Sequence, residues 1–268
     1  MQWIDAVQMT AAGAAAGAIN ALVGSGTLVT FPVLLALGYP PVVANASNAV
    51  GLVPGSFAAA YGYRAELRSQ RHLLLPLAAA VLAGGVTGAL LLLILPAEAF
   101  RLAVPILIAL ALLLIVCQPW LVRALNRRAT TVTTGPSATG APVSGDVRGR
   151  GGRPAVALIA GVFAAGVYGG YFGAALGVLL LGLLGTLVTA DLQQANGLKN
   201  ILAGAANSVA ALVFVVAGVV AWLPALLIGV GAVVGGMLAA RYGRRLPAAA
   251  LRAVIVVVGL TAIVQMVV

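Results

Sequence analysis

The sequence predicts an all-α polytopic membrane protein made of two inverted repeats, each with a short or re-entrant broken helix near its start. Three observations carry that expectation. Charged residues make up 7% of the 268-residue chain and hydrophobic ones 62%, far too few charges to cover a water-soluble domain of this length. No charge falls between Asp5 and Arg64, between Arg153 and Asp191, or between Lys199 and Arg241, and each gap exceeds the roughly 20 residues that cross a hydrocarbon core. Finally, one arrangement of apolar run, glycine interruption and polar patch occurs twice.

The first repeat is read over residues 1–122. An apolar stretch at 7–24 runs into a glycine-broken junction, VGSGT, followed by the short run LVTFPVLLALG ending at Gly38. Gly24 and Gly26 mark the break, and Pro32 inside the short run would kink it. A further stretch covers 41–60 and opens on the polar patch PVVANASN. The loop YRAELRSQRH supplies Arg64, Arg68 and Arg71, and two ordinary spans follow at 73–95 and 102–122. Residues 123–154 are rich in Gly, Ser, Thr and Pro with no periodic apolar face, which predicts a disordered basic cytoplasmic linker. The second repeat, 155–268, returns to the plan. A stretch at 155–173 leads to a break at Gly173, a short run to Gly185, then stretches at 192–217, 222–240 and 251–268. Its polar patch is QANGLKN.

Lys and Arg crowd three loops, 61–72, 123–154 and 241–252, while 96–101 and 218–223 are nearly uncharged or mixed. Basic loops stay on the cytoplasmic side. The loop after the polar-patch helix is then inside in the first half and outside in the second, so the halves point in opposite directions. Five membrane elements per half satisfy this, with both termini outside the cell or inner membrane. No basic region precedes the first apolar run, so it is not read as a signal peptide.

Runs of about a dozen apolar residues are too short to cross as ordinary helices, and backbone breaks inside a bilayer only where protein or a polar cavity covers it. Transporters built from inverted repeats use such breaks to aim helix ends at a substrate near the midplane. Asn45, Ser47 and Asn48 from one half and Asn196, Lys199 and Asn200 from the other are therefore expected to converge on one substrate-binding cavity. A cation among amide donors suits an anion. Lys199 has two bland alternatives, snorkelling to an interface or pairing with Asp191, and the asparagines could serve as interhelical glue.

Other residues carry less. Gly13 and Gly17, Gly84 and Gly88, and Gly166 and Gly170 have the spacing of helix-packing faces. The single cysteine, Cys117, permits no intramolecular disulfide and reads as a packing residue. His72 reads as interfacial, with no metal-ligand company. The net charge of +10 sits in the loops, so nucleic acid is not an expected partner; the arginines at 64, 68 and 71 are read as facing anionic lipid headgroups, with a funnel for an anionic substrate as the alternative. With five carboxylates, no two in one apolar stretch, and no GxxxxGK loop, neither an enzyme nor an ATP-driven exporter is expected. No cofactor and no metal are predicted.

The stretch GAINALVGSGTLVTFPVLLALGYPPVVANASNAVGLVPGS (17–56), the R-x-E-L tail at Arg64–Leu67, and the second copy from Gly161 through Lys199–Asn200 resemble the TauE/SafE sulfite-exporter-like permeases. Many members carry a GxGGG run where this chain reads VGSGT. The resemblance covers all but the linker and implies a cell-membrane permease moving sulfite, sulfoacetate or related sulfonates. Against it stands a non-transporting membrane packing or assembly protein.

Overall fold

In the computed structural model of the protein large apolar side chains cover the outside, and polar ones are buried within a largely apolar interior, unlike the surface of a water-soluble fold. Leu75, Ile94, Leu102, Ile106, Trp120 and Val216 are 70–81% exposed, whereas Asn45, Ser47, Asn48, Lys199 and Asn200 are 0–2% exposed. That exterior matches hydrocarbon, which cannot satisfy polar groups. The structure describes residues 3–67, 70–133, 153–189, 191–242, 253, 255–261 and 263.

The helices are α1 (Trp3–Leu22), α2 (Thr27–Ala36), α3 (Pro41–Gly62), the single turn α4 (Arg64–Leu67), α5 (Arg71–Ile94), α6 (Ala97–Thr133), α7 (Arg153–Tyr171), α8 (Leu176–Leu187), α9 (Leu192–Val216) and α10 (Trp222–Tyr242). Four of them hold stretches long and apolar enough to cross a membrane: Leu73–Ile94, Ala97–Trp120, Gln193–Val216 and Trp222–Tyr242. The chain is a multi-pass membrane protein. α1 and α3 are of similar length, at 20 and 22 residues, but glycine, alanine and asparagine dilute their hydropathy. They sit within the bundle, α1 and α3 both packed on α10, and α3 also on α9.

Small residues set the helix register. Gly13 of α1 lies against Ile228 and Gly17 against Ala232, while Gly51 and Gly55 of α3 lie against the same two residues. Thus α1, α3 and α10 run parallel. Gly84 and Gly88 of α5 face Phe163 and Val167, and Gly166 and Gly170 of α7 face Val81 and Gly85, so α5 and α7 are also parallel, their two GxxxG pairs interlocked. By contrast, Gly197 meets Tyr63 and Leu67 while Gly204 meets Ser56 and Phe57, which makes α3 and α9 antiparallel. The approaches are backbone-close. A Cβ at Gly88 would lie 2.0 Å from Val167 O, and one at Gly235 1.8 Å from Ala14 O.

Several expectations change. Residues 123–133, assigned from sequence to the linker, continue α6. Arg123, Ala124, Leu125, Arg127 and Arg128 are good helix formers, and lengthening an existing helix avoids the nucleation cost. α8 passes through Gly185 to Leu187. Cys117 is exposed on the outer face of α6 rather than packed. Arg64 is exposed and stacks 4.7 Å over the Tyr61 ring. Most of the linker, Arg68, residues 243–252 and half of the 251–268 span lie outside the described residues, as do the side chains of Arg71 and His72.

Candidate functional site

The two sequence-predicted breaks are built alike. Val23 and Gly24 both donate to Ile19 O, at 2.7 and 3.1 Å, and Phe172 and Gly173 both donate to Tyr168 O, at 2.9 and 3.0 Å. Gly24 and Gly173 have φ of +90 and +75, the left-handed region in which a side chain costs about 1–2 kcal/mol. Gly26 is needed for space instead: its φ is −58, and a Cβ there would lie 2.5 Å from Ala16 O. Beyond each break a short helix begins without a side-chain cap, α2 after Gly26 and α8 after Ala175.

The breaks touch. Gly177 N–H donates to Gly24 O at 3.0 Å, and a Cβ on Gly24 would lie 2.4 Å from Gly177 Cα. The positive ends of two short helices are thereby brought together. Polar groups at this junction are buried and unpaired. Ser25 is 1% exposed and its hydroxyl has no partner. The Tyr168 hydroxyl, also unpartnered, lies against the N–H of Ala175 without closing a hydrogen bond. Among the described residues, no backbone acceptor takes the N–H of Ser25, Gly26, Thr27, Ala174 or Ala175. Gln118 of α6 donates to Val23 O at 3.4 Å, its side-chain oxygen remaining free of partners.

On the other side of each break the last carbonyls of α1 and α7 have lost their intrahelical donors. Lys199 Nζ donates to Asn20 O at 3.2 Å and Ala21 O at 3.1 Å, and Asn200 Nδ2 reaches Ala21 O at 3.4 Å. A cation at a helix C-terminus is favoured by the dipole as well as by the bonds. Reciprocally, Asn45 Nδ2 donates to Tyr171 O at 3.0 Å, closing the end of α7. Each half of the chain thus caps the broken helix of the other half. Lys199 neither snorkels nor pairs with Asp191, whose carboxylate caps α9 by accepting from Gln193 and Gln194 N–H at 2.8 and 3.4 Å.

The remaining residues singled out in the sequence divide as follows. Asn48 pins α2 to α3, donating to Thr27 Oγ1 at 3.1 Å and accepting from the Thr30 hydroxyl. Ser47 Oγ accepts from Ala221 N–H at 2.9 Å, just ahead of α10. Asn196 is 8% exposed with its carbonyl oxygen unpartnered. The two patches do not converge. Each opens one of two antiparallel helices, so Asn45, Ser47 and Asn48 sit near one end of the bundle and Asn196, Lys199 and Asn200 near the other. At 1.5 Å per residue along the observed register, Asn48 and Lys199 are separated by roughly 20 Å along the axes. The residues missed in the sequence are Asn20, which bonds Ser56 Oγ at 3.1 Å, together with Ser25, Thr27, Thr30, Gln118 and Tyr168. Four of the six fall inside GAINALVGSGTLVT, where their density in an apolar stretch was the available signal.

A sequence profile of the family described as "Sulfite exporter TauE/SafE" matches residues 9–266. The chain belongs to the TauE/SafE family. It is 29% identical over 248 residues to the "Probable membrane transporter protein ORF9" of Sinorhizobium sp, covering 91% of this chain and 85% of the relative. It is 30% identical over 232 residues to the "Probable membrane transporter protein YfcA" of Escherichia coli K12, covering 86% and 76%. No solved structure matches significantly. This TauE/SafE chain is a membrane transport protein of the inner or plasma membrane rather than an enzyme.

Proposed function

We propose that the chain is a permease for small anions, sulfite or an organosulfonate among them, built as two copies of one plan in opposite orientation. The duplicated break carries this reading. The same backbone bonds end α1 and α7, the same left-handed glycine follows, and the caps are exchanged between halves. The opposed directions of α1 and α7, of α3 and α9, and of α5 and α10 support inversion, with repeats over 1–122 and 155–268 and both termini outside. Asn45, Lys199 and Asn200 then close the ends of the broken helices, Asn48 ties α2 to α3, and Ser47 fixes the start of α10. Asn196 keeps a free carbonyl oxygen on the helix of Lys199, and Gly24, Gly26 and Gly173 let the backbone turn. The family description supports sulfite and related anions as substrates, and the names of the relatives support membrane transport. Basic inner loops attract anionic lipids and anionic substrate alike. Outward movement needs no coupling, since an inside-negative potential contributes about 2.3 kcal/mol per charge per 100 mV.

A second reading, a non-transporting membrane packing or assembly protein, draws on one observation: Asn45, Lys199 and Asn200 spend their donors on protein carbonyls. Flux in proteoliposomes at a defined potential separates the two. Saturable movement of sulfite or methanesulfonate is expected from the permease; no flux of sulfite, methanesulfonate, sulfate or chloride refutes it.

A further inference from the structure

The geometry points to an anion-binding site where the starts of α2 and α8 meet, with the hydroxyls of Ser25 and Tyr168 and the open N–H groups around them as ligands for a small, singly charged oxyanion. As a transport site it deepens the permease reading; as a binding site it stands without it.

Two positive helix ends abut at the Gly24–Gly177 contact in a setting from which water is largely excluded. The negative ends of α1 and α7 beside them are already taken up by Lys199, Asn200 and Asn45, and the remaining positive charge in low dielectric is costly unless something opposite is close. Among the described acidic residues, Asp191 caps α9, Glu98 lies in the first turn of α6 and Glu66 belongs to the turn α4 that follows α3, whereas Asp5 opens α1 at the far end from its break. None stands at the junction. The donors there are in surplus: five neighbouring N–H groups without backbone acceptors and two buried hydroxyls without partners. Buried donors left open cost about 1–3 kcal/mol each unless a ligand takes them. The Ser25 hydroxyl stands one residue ahead of the cap of α2, and the Tyr168 hydroxyl against the cap of α8, so each half-helix start has one hydroxyl beside it.

The charge sets the class of ligand. Each helix start contributes roughly half an elementary charge, about one in total, and every side-chain donor at the junction is neutral. Lys199, the one basic side chain buried in the bundle interior among the described residues, is committed to the end of α1. A monoanion is matched, whereas a dianion would bring an uncompensated charge into the interior. Three or four oxygen lone-pair directions suit N–H and hydroxyl donors arriving from two helices, which favours an oxyanion over a halide.

The test uses the full-length protein in detergent. Methanesulfonate is expected to raise the apparent unfolding temperature of the wild type, as a ligand of the folded state must, and sulfate to do so only at much higher concentration. Ser25→Ala removes a hydroxyl with no protein partner and Tyr168→Phe one that faces only the Ala175 N–H, so at most a small loss of stability is expected without anion. Each should require about tenfold more methanesulfonate for the same rise, equivalent to about 1.4 kcal/mol. Thr87→Ala, on the outer face of α5, should match the wild type. Unchanged concentration dependence in both hydroxyl variants, no response of the wild type, or sulfate as effective as methanesulfonate would each overturn the site. Flux by the same variants separates the two claims. Undiminished flux with unaltered half-saturation removes the site from the transport path and leaves the permease; binding without flux removes the permease and leaves the site.

Discussion

Replacing Asn48 by Ala tests whether α2 is held to α3 by the side-chain bridge seen here. Asn48 is 2% exposed, its amide donates to Thr27 Oγ1 at 3.1 Å, and its carbonyl oxygen accepts from Thr30. Hydrogen bonds between membrane helices contribute about 0.6 kcal/mol on average and up to about 1.7. The truncation also leaves a methyl-sized void or larger, at about 1 kcal/mol. Asn48→Ala should therefore cost about 2–3 kcal/mol. Thr30→Val keeps its shape and removes one bond, at about 1 kcal/mol, while the Thr30 hydroxyl's second acceptor, Gly26 O at 3.4 Å, is a weak fallback. In the double variant the Thr30 substitution has no partner left to lose, so the coupling should be about 0.6–1.7 kcal/mol. Denaturant unfolding in micelles at constant slope measures all three. Equal cost of Thr30→Val in both backgrounds would show that the bridge does not exist and that α2 is held by packing alone.

Further perturbations have definite signs. Lys199→Glu would set a carboxylate against Asn20 O and Ala21 O at the negative end of α1, and no folded protein is expected by size-exclusion chromatography. Lys199→Gln, able to donate to one carbonyl, should remain folded. Gly24→Ala combines a left-handed φ of +90 with a Cβ 2.4 Å from Gly177 Cα, so a loss of more than about 2 kcal/mol is expected. Gly38→Ala has the same strain and nothing within 4 Å, so it should cost only about 1 kcal/mol; equal effects would mean the breaks are not in contact. In a Cys117→Ser background, an impermeant maleimide applied to intact cells should label Glu98→Cys and spare Arg64→Cys. The reverse pattern would invert the proposed topology.

The sequence displayed the breaks more clearly than the site. Glycine at 24 and 173 followed by a short apolar run was visible because backbone reversal and length limits leave a compositional mark. The interlocked GxxxG pairs of α5 and α7 were visible for a similar reason, since close approach demands missing side chains. Convergence of the two polar patches was not predictable from spacing. Whether two helix starts meet or oppose depends on which helices pack side by side, and α3 against α9 is a pairing across the linker. Lys199 was legible as a buried cation but not as a cap, because its partners are main-chain oxygens that carry no sequence signal. Tyr168 was hidden by the same logic, and Ser25 was marked only as one polar residue in a dense stretch: that a hydroxyl lacks a partner is a three-dimensional fact.

The exchanged caps bear on how the protein is made. Asn20 and Ala21 lie 179 and 178 residues ahead of the lysine that completes the end of their helix, so the ribosome delivers α1 to the membrane long before its closure exists. Until α9 arrives, those carbonyls must borrow water, lipid headgroups or a chaperone, and the first half stays provisional. The end of α7, by contrast, meets an Asn45 made long before it, so the late step of maturation is the closure of α1 alone, and quality control would find its target in chains stalled before residue 199.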